Sequence, residues 1–193
     1  MSADGTNART LAASVTLRGS EGQGSADWSL DGKWIVAAGS DAQGAGLFMI
    51  SVDDATPVRR LVSGEAVNPV WSPKGTLIVY GGAVVAGQIP LLGVKPDGVP
   101  VELPDVRAGQ STDHRFLPSG TGLVYLPRGQ SPDFWLLDLA TKKPRQLTSL
   151  SNQGRLGRFD ITPGFDITPD GKYIVFDRSR ENSNIVLIDL PLK

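Results

Sequence analysis

Seven residues offer most of the recognition chemistry in this chain of 193 residues: Ser25, Asp27, Asn68, Asp113, His114, Arg115 and Asp166. Together they supply hydroxyl, amide, carboxylate, imidazole and guanidinium groups. Such groups hold a peptide or a small polar ligand by hydrogen bonds and charge. They do not compose a catalytic set. His114 is the one histidine and there is no cysteine, so a histidine or thiolate metal centre lacks ligands. Ser-His-Asp catalysis would have to use His114, and no G-x-S-x-G elbow presents a serine. Phosphate-binding loops, the dinucleotide fingerprint and the kinase signatures are also missing from the sequence. No cofactor, metal or catalytic residue is therefore expected. Asp31, Asp97 and Asp170 fall in turns, where an aspartate bonds its own backbone.

The elements that position these residues come from an internal repeat. Four segments align: ADWSLDGKWIVAAG, PVWSPKGTLIVYGG, HRFLPSGTGLVYLP and FDITPDGKYIVFDR. Their turn glycines, Gly32, Gly75, Gly120 and Gly171, are spaced by 43, 45 and 51 residues. A period near 40–45 is the length of a four-stranded propeller blade. The long last interval contains FDITP twice, at residues 159–163 and 165–169. The second copy is expected to be the first strand of its blade, and the first copy part of the connection. Each repeat then reads as an inner strand, a tight turn, a β-branched second strand, a third strand and, after a polar turn, a fourth. Gly (23) and Pro (14) make up about a fifth of the chain, which suits many short strands joined by turns.

The expected fold is all-β: a single propeller domain over residues 1–193 built of four-stranded antiparallel blades. Four blades are encoded, at about 24–62, 67–103, 112–148 and 158–190. The fourth stops after its third strand. Residues 8–12, a strand with no blade before it, would complete it by pairing with residues 185–190, in cis or in trans in a dimer. Such pairing hides two sheet edges. Two chains exchanging strands would make an eight-bladed ring.

In a propeller the innermost strands surround a central channel. Alternation places Ser25 and Asp27 on one side of the first strand, with Ala26 and Trp28 on the other. The aligned positions are Asn68 and Val70, Asp113 and Arg115, and Gly164 and Asp166. His114 aligns with Ala26 and Pro69 and joins the channel-lining candidates. A hydrated channel wall and a ligand-binding mouth both call for such polar residues. Trp28 and Trp71 share one repeat position and are expected to pack between blades. Trp34 and Trp135 lie within strand patterns and are expected in the core.

The segments WSLDGKWIVAAG, WSPKGTLIVYGG and ITPDGKYIVFDR, each followed by a hydrophobic third strand, resemble the TolB-type (WD-like) propeller repeat. The resemblance runs from residue 3 to residue 190. Relatives include the propellers that cap prolyl-oligopeptidase-type enzymes and the C-terminal region of bacterial membrane-anchored Ser/Thr kinases. The ending DITPDGKYIVFDRSRENSNIVLIDLP is most similar to the last group. The resemblance implies a binding, scaffolding or sensing module of a larger bacterial protein, in an extracytoplasmic setting. It leaves open an accessory propeller gating a hydrolase. RFLPSG in the third repeat and Leu30 in the first depart from the WSPDG pattern.

Net charge is −1, so no general attraction to nucleic acid or anionic membrane is expected. No apolar run is long enough to span a membrane, and residues 1–14 lack the apolar core of a signal peptide. The basic group Arg155, Arg158, Arg178 and Arg180 reads as solvated charge, with an acidic partner segment as the alternative. The expected partner is a protein or small polar ligand at the channel mouth or on a face.

Overall fold

The computed structural model describes Thr6 and residues 8–18, 26–53, 56–109, 114–127, 133–150, 161–178 and 184–189. Among these residues there are seventeen strands and no α-helix.

The strands form four antiparallel sheets, one per repeat. The first holds β1 (Thr16–Leu17), β2 (Ala26–Trp28), β3 (Trp34–Asp41), β4 (Gly44–Ser51) and β5 (Arg59–Ser63). The second holds β6 (Val67–Trp71), β7 (Ile78–Gly81), β8 (Gln88–Val94), β9 (Pro100–Val101) and β10 (Arg107–Gly109). The third holds β11 (His114–Phe116), β12 (Gly122–Tyr125), β13 (Trp135–Asp138) and β14 (Lys143–Gln146). The fourth holds β15 (Ile161–Ile167), β16 (Tyr173–Arg178) and β17 (Asn184–Asp189).

The turn after each inner strand is built the same way four times. Gly32, Gly75, Gly120 and Gly171 have φ of 68°, 69°, 68° and 72°. Each donates its N–H to the carbonyl three residues back, at Ser29, Ser72, Leu117 and Thr168. In the first and fourth turns a hydroxyl locks the loop. Ser29 Oγ donates to Asp31 and accepts the Trp34 N–H, and Thr168 Oγ1 does the same with Asp170 and Tyr173. These bonds hold the Asp31 and Asp170 carboxyls below the usual range, the hydroxyl bond being the larger cause. Asp97 likewise accepts the Val99 N–H, at 3.0 Å. All three aspartates are structural, as their turn positions imply.

A Cβ at Gly75 would meet nothing within 4 Å, so alanine there costs only its left-handed backbone. Gly75→Ala is expected to lose about 1–2 kcal/mol in urea unfolding, and Gly75→Asn less, because asparagine tolerates that region.

Consecutive sheets stack with a hydrophobic seam between each pair. Val36, Ala38, Leu47 and Met49 of the first sheet meet Trp71, Ile78 and Tyr80 of the second. Val70, Val79 and Leu91 meet Phe116, Leu123 and Tyr125 of the third. Val124, Phe134 and Leu136 meet Phe165, Ile174 and Phe176 of the fourth. Alternation along the strands gives each sheet an apolar surface on both faces, which stacking then buries.

Four expectations change. The N-terminal segment does not complete the fourth sheet in cis: residues 8–12 form no strand, and among the described residues β17 pairs only with β16. The segment lies on the first sheet instead. Arg9 donates to the Val52 carbonyl, β1 pairs with β3, and Arg18 bonds Glu65. Trp28 does not share the burial of Trp71; it is 55% exposed against 8%, because among the described residues no other sheet packs over its ring. The first FDITP copy is not merely connection: Ile161 pairs with Arg178 and Phe165 with Phe176, so one bulged strand takes in residues of both copies. Finally, the fourth strand of the second sheet has two parts, β9 and β10, both on β8. The second part extends that repeat beyond residue 103.

Candidate functional site at the inner strands

The inner strands β2, β6, β11 and β15 carry the polar positions singled out in the sequence. Asp27, Asn68 and Arg115 meet at one cavity of about 260 Å³, whose wall also includes Pro69, Trp71 and Phe116. Three different repeats therefore contribute to one concave surface. Ser25 and Asp113 lie outside the described residues. Asp166 is exposed on β15 and is not part of this wall.

Local geometry sets what each side chain can do. Asn68 has a φ of 47° and is buried. It sits where β6 bulges between Val67 and Val70, and asparagine is one of the few side chains tolerated in that conformation. Asp27 is committed to the fold. One carboxylate oxygen accepts the Trp28 N–H at 2.8 Å, and the other accepts the Trp71 N–H of the next sheet, also at 2.8 Å. Arg115 is half-buried, and its Nη1 donates to the His114 carbonyl at 3.0 Å. Arg115 gives the cavity a cationic side.

His114 does not line the channel. It is 1% exposed, because alternation turns it away from Arg115 and into the seam with the second sheet. Its Nε2 lies 3.3 Å from the Val79 carbonyl. A carbonyl only accepts, so Nε2 carries the proton. Burial, the largest influence, pushes its pKa down to about 4.

A larger cleft of about 750 Å³ opens on the side of the glycine turns, between the first and second sheets. Trp34, Met49 and Trp71 line it, with Arg59 and Lys74 among the charged residues. The Trp71 Nε1–H is buried without an acceptor in the protein. No motif or spacing points to this cleft, because its wall joins turns from two repeats. Among the described residues, no group of three side chains converges as metal ligands and no helix is long and apolar enough to cross a membrane. Arg155, Arg158 and Arg180 lie outside the described residues.

Comparison with known proteins agrees with this architecture. No family model matches the chain. The Tol-Pal system protein TolB of Nitratidesulfovibrio vulgaris (strain Hildenborough) is 31% identical over 119 residues, covering 61% of this chain and 24% of that protein. The crystal structure of TolB from Acinetobacter baumannii superposes with a TM-score of 0.67 at 17% identity, over 87% of this chain and 41% of that one. An oligogalacturonate lyase from Vibrio parahaemolyticus superposes with a TM-score of 0.60 at 15% identity, over 82% of this chain and 46% of that one. The chain thus spans less than half the length of each, and the two structural likenesses show the fold alone. By its fold, the chain is an all-β propeller similar to that of TolB.

Proposed function

We propose that the chain is a non-catalytic interaction module that takes a segment of a protein partner at the mouth of its central channel. The observation that carries this reading is the meeting of Asp27, Asn68 and Arg115, from three repeats, at one cavity. Its volume of about 260 Å³ lies just below the range of drug-sized pockets, which begins at roughly 300 Å³. It suits an inserted side chain better than a whole cofactor. Asp27 already accepts two backbone N–H groups, and Arg115 brings the positive charge to the cavity wall. An acidic side chain or a C-terminal carboxylate of the partner fits it. Burial of His114 supports the non-catalytic reading, because the one imidazole in the chain is kept neutral and out of solvent's reach.

Selection of a random-peptide library on the purified chain tests the proposal. Enriched peptides are expected to carry an acidic residue or rely on their terminal carboxylate. Arg115→Ala should weaken them by about ten- to a hundredfold, the worth of one charge-assisted hydrogen bond of roughly 1.5–3 kcal/mol. Peptides that bind Arg115→Ala as tightly as the unaltered chain would place the binding surface elsewhere, with the cleft at Trp71 the next to examine.

A further inference from the structure

The cleft on the side of the glycine turns crosses the whole width of the first sheet. In its wall Leu30 follows β2, Trp34 opens β3, Met49 lies on β4 and Arg59 opens β5. Trp71, at the end of β6, and Pro96, after β8, face them from the second sheet. Inner to outermost strand is three interstrand spacings, so the cleft runs roughly 14 Å, the reach of four to five residues of extended chain. Its floor is apolar. Met49 and Trp71 are buried in the seam, and the half-buried Trp34 packs against them. Leu30, at the inner end, stands 79% exposed. Charge lies at the outer end. Arg59 is exposed, and its Nη2 donates to the Pro96 carbonyl at 3.0 Å. Its other N–H groups have no acceptor among the described residues. The acidic residues of the wall are engaged by their own turns: Asp31 accepts the Ser29 hydroxyl and the Lys33 N–H, and Asp97 accepts the Val99 N–H. The stem of Lys74 runs beside Gly120 of the third sheet, which leaves Arg59 as the cation of the cleft.

We propose that this cleft is a second binding site, and that it takes an extended peptide segment of a protein partner. A large apolar side chain of the segment rests on Trp34, Met49 and Trp71, and an acidic residue meets the unspent N–H groups of Arg59. The floor lies one or two strand spacings from β5, about 5–10 Å, so the two anchoring residues of the segment stand two or three positions apart. The volume of about 750 Å³ holds more than one side chain, and tryptophan and arginine are the side chains that most often anchor such contacts. The site shares Trp71 with the channel cavity but not Arg115, and it does not rest on the reading of that cavity.

Selection of a random-peptide library on the Arg115→Ala chain tests it, because that substitution removes the cation of the channel cavity and keeps the cleft intact. Enriched peptides are expected to pair a large apolar residue with Asp or Glu two or three positions away. Adding Arg59→Ala should weaken them about ten- to a hundredfold, as the loss of one charge-assisted hydrogen bond does. Leu30→Ser should weaken them about threefold or more by uncovering the inner end. Both residues are exposed, so circular dichroism and thermal midpoint should hold. In a proton–nitrogen correlation spectrum, a bound peptide should move the indole N–H signals of Trp34 and Trp71 and leave that of Trp135, in the third sheet, in place. An empty selection on the Arg115→Ala chain would overturn the proposal without touching the channel reading. Peptides that bind the Arg59→Ala chain unchanged, or that move Trp135 instead of Trp34 and Trp71, would overturn it too.

Discussion

Replacing Phe134 with alanine is expected to destabilise the chain by about 3–5 kcal/mol, the usual cost of removing a fully buried aromatic ring. Phe134 is 0% exposed. Its ring meets Phe165 edge-on at 5.0 Å and Phe176 at 5.2 Å. Both partners belong to the fourth sheet, so one ring from the third repeat holds two strands of the next. Edge-to-face contacts each add about 0.5–1.5 kcal/mol beyond burial. The backbone around it cannot easily collapse into the void. The Phe134 N–H donates to Thr148 Oγ1 at 2.9 Å and its carbonyl accepts the Leu147 N–H at 2.8 Å. Thr148 in turn bonds the buried Asp133. Phe134→Leu keeps most of the volume and should cost clearly less, with the loss falling on the aromatic contacts. Equilibrium urea unfolding of both variants reads the difference. Near-equal, small losses for the two would show that this seam contributes little to the cooperative unit.

The two largest effects expected here both arise between repeats, and that is where the sequence is hardest to read. Within a repeat, local rules suffice. Glycine at a left-handed turn position, β-branched runs on either side and a polar second turn placed all four tight turns and most strands. Alternation also brought Asp27, Asn68 and Arg115 to one wall, because each is fixed by its own inner strand. What lies across a seam depends on a neighbour that the local pattern does not name. Trp28 and Trp71 have the same pattern, yet Trp71 packs into the seam with the first sheet and Trp28 is exposed. His114 sits in a polar run, yet its face of β11 is turned towards Val79. The role of Asp27 was half legible: its place on the wall followed from alternation, but its bond to Trp71 required knowing how two sheets dock. The N-terminal segment misled for a related reason. A short strand pattern says that it seeks an edge, and Arg9 and Arg18 decide that it lies on the first sheet.

His114 should give the fold a pH dependence that carboxylates cannot account for. In the folded chain its pKa is pushed down to about 4 by burial, against an ordinary value of 6.5. The unfolded chain therefore binds a proton that the folded chain refuses in the window between these values. Stability rises with pH wherever the unfolded state binds more protons. The contribution is complete above about pH 6.5, is lost progressively as pH falls, and is exhausted below about 4. Each pKa unit is worth about 1.4 kcal/mol, so the loss between pH 7.5 and pH 4.5 comes to about 2–3 kcal/mol. The lowered carboxyls of Asp31, Asp138 and Asp170 act in the same direction but below their ordinary value of 3.8, outside this window. His114→Gln separates the two. Its amide can donate to the Val79 carbonyl as Nε2–H does, and it does not titrate. Urea unfolding at the two pH values should show the unaltered chain losing stability and the glutamine variant losing markedly less. Equal losses would mean that the proton enters elsewhere, and that the seam between the second and third sheets admits the charged imidazole.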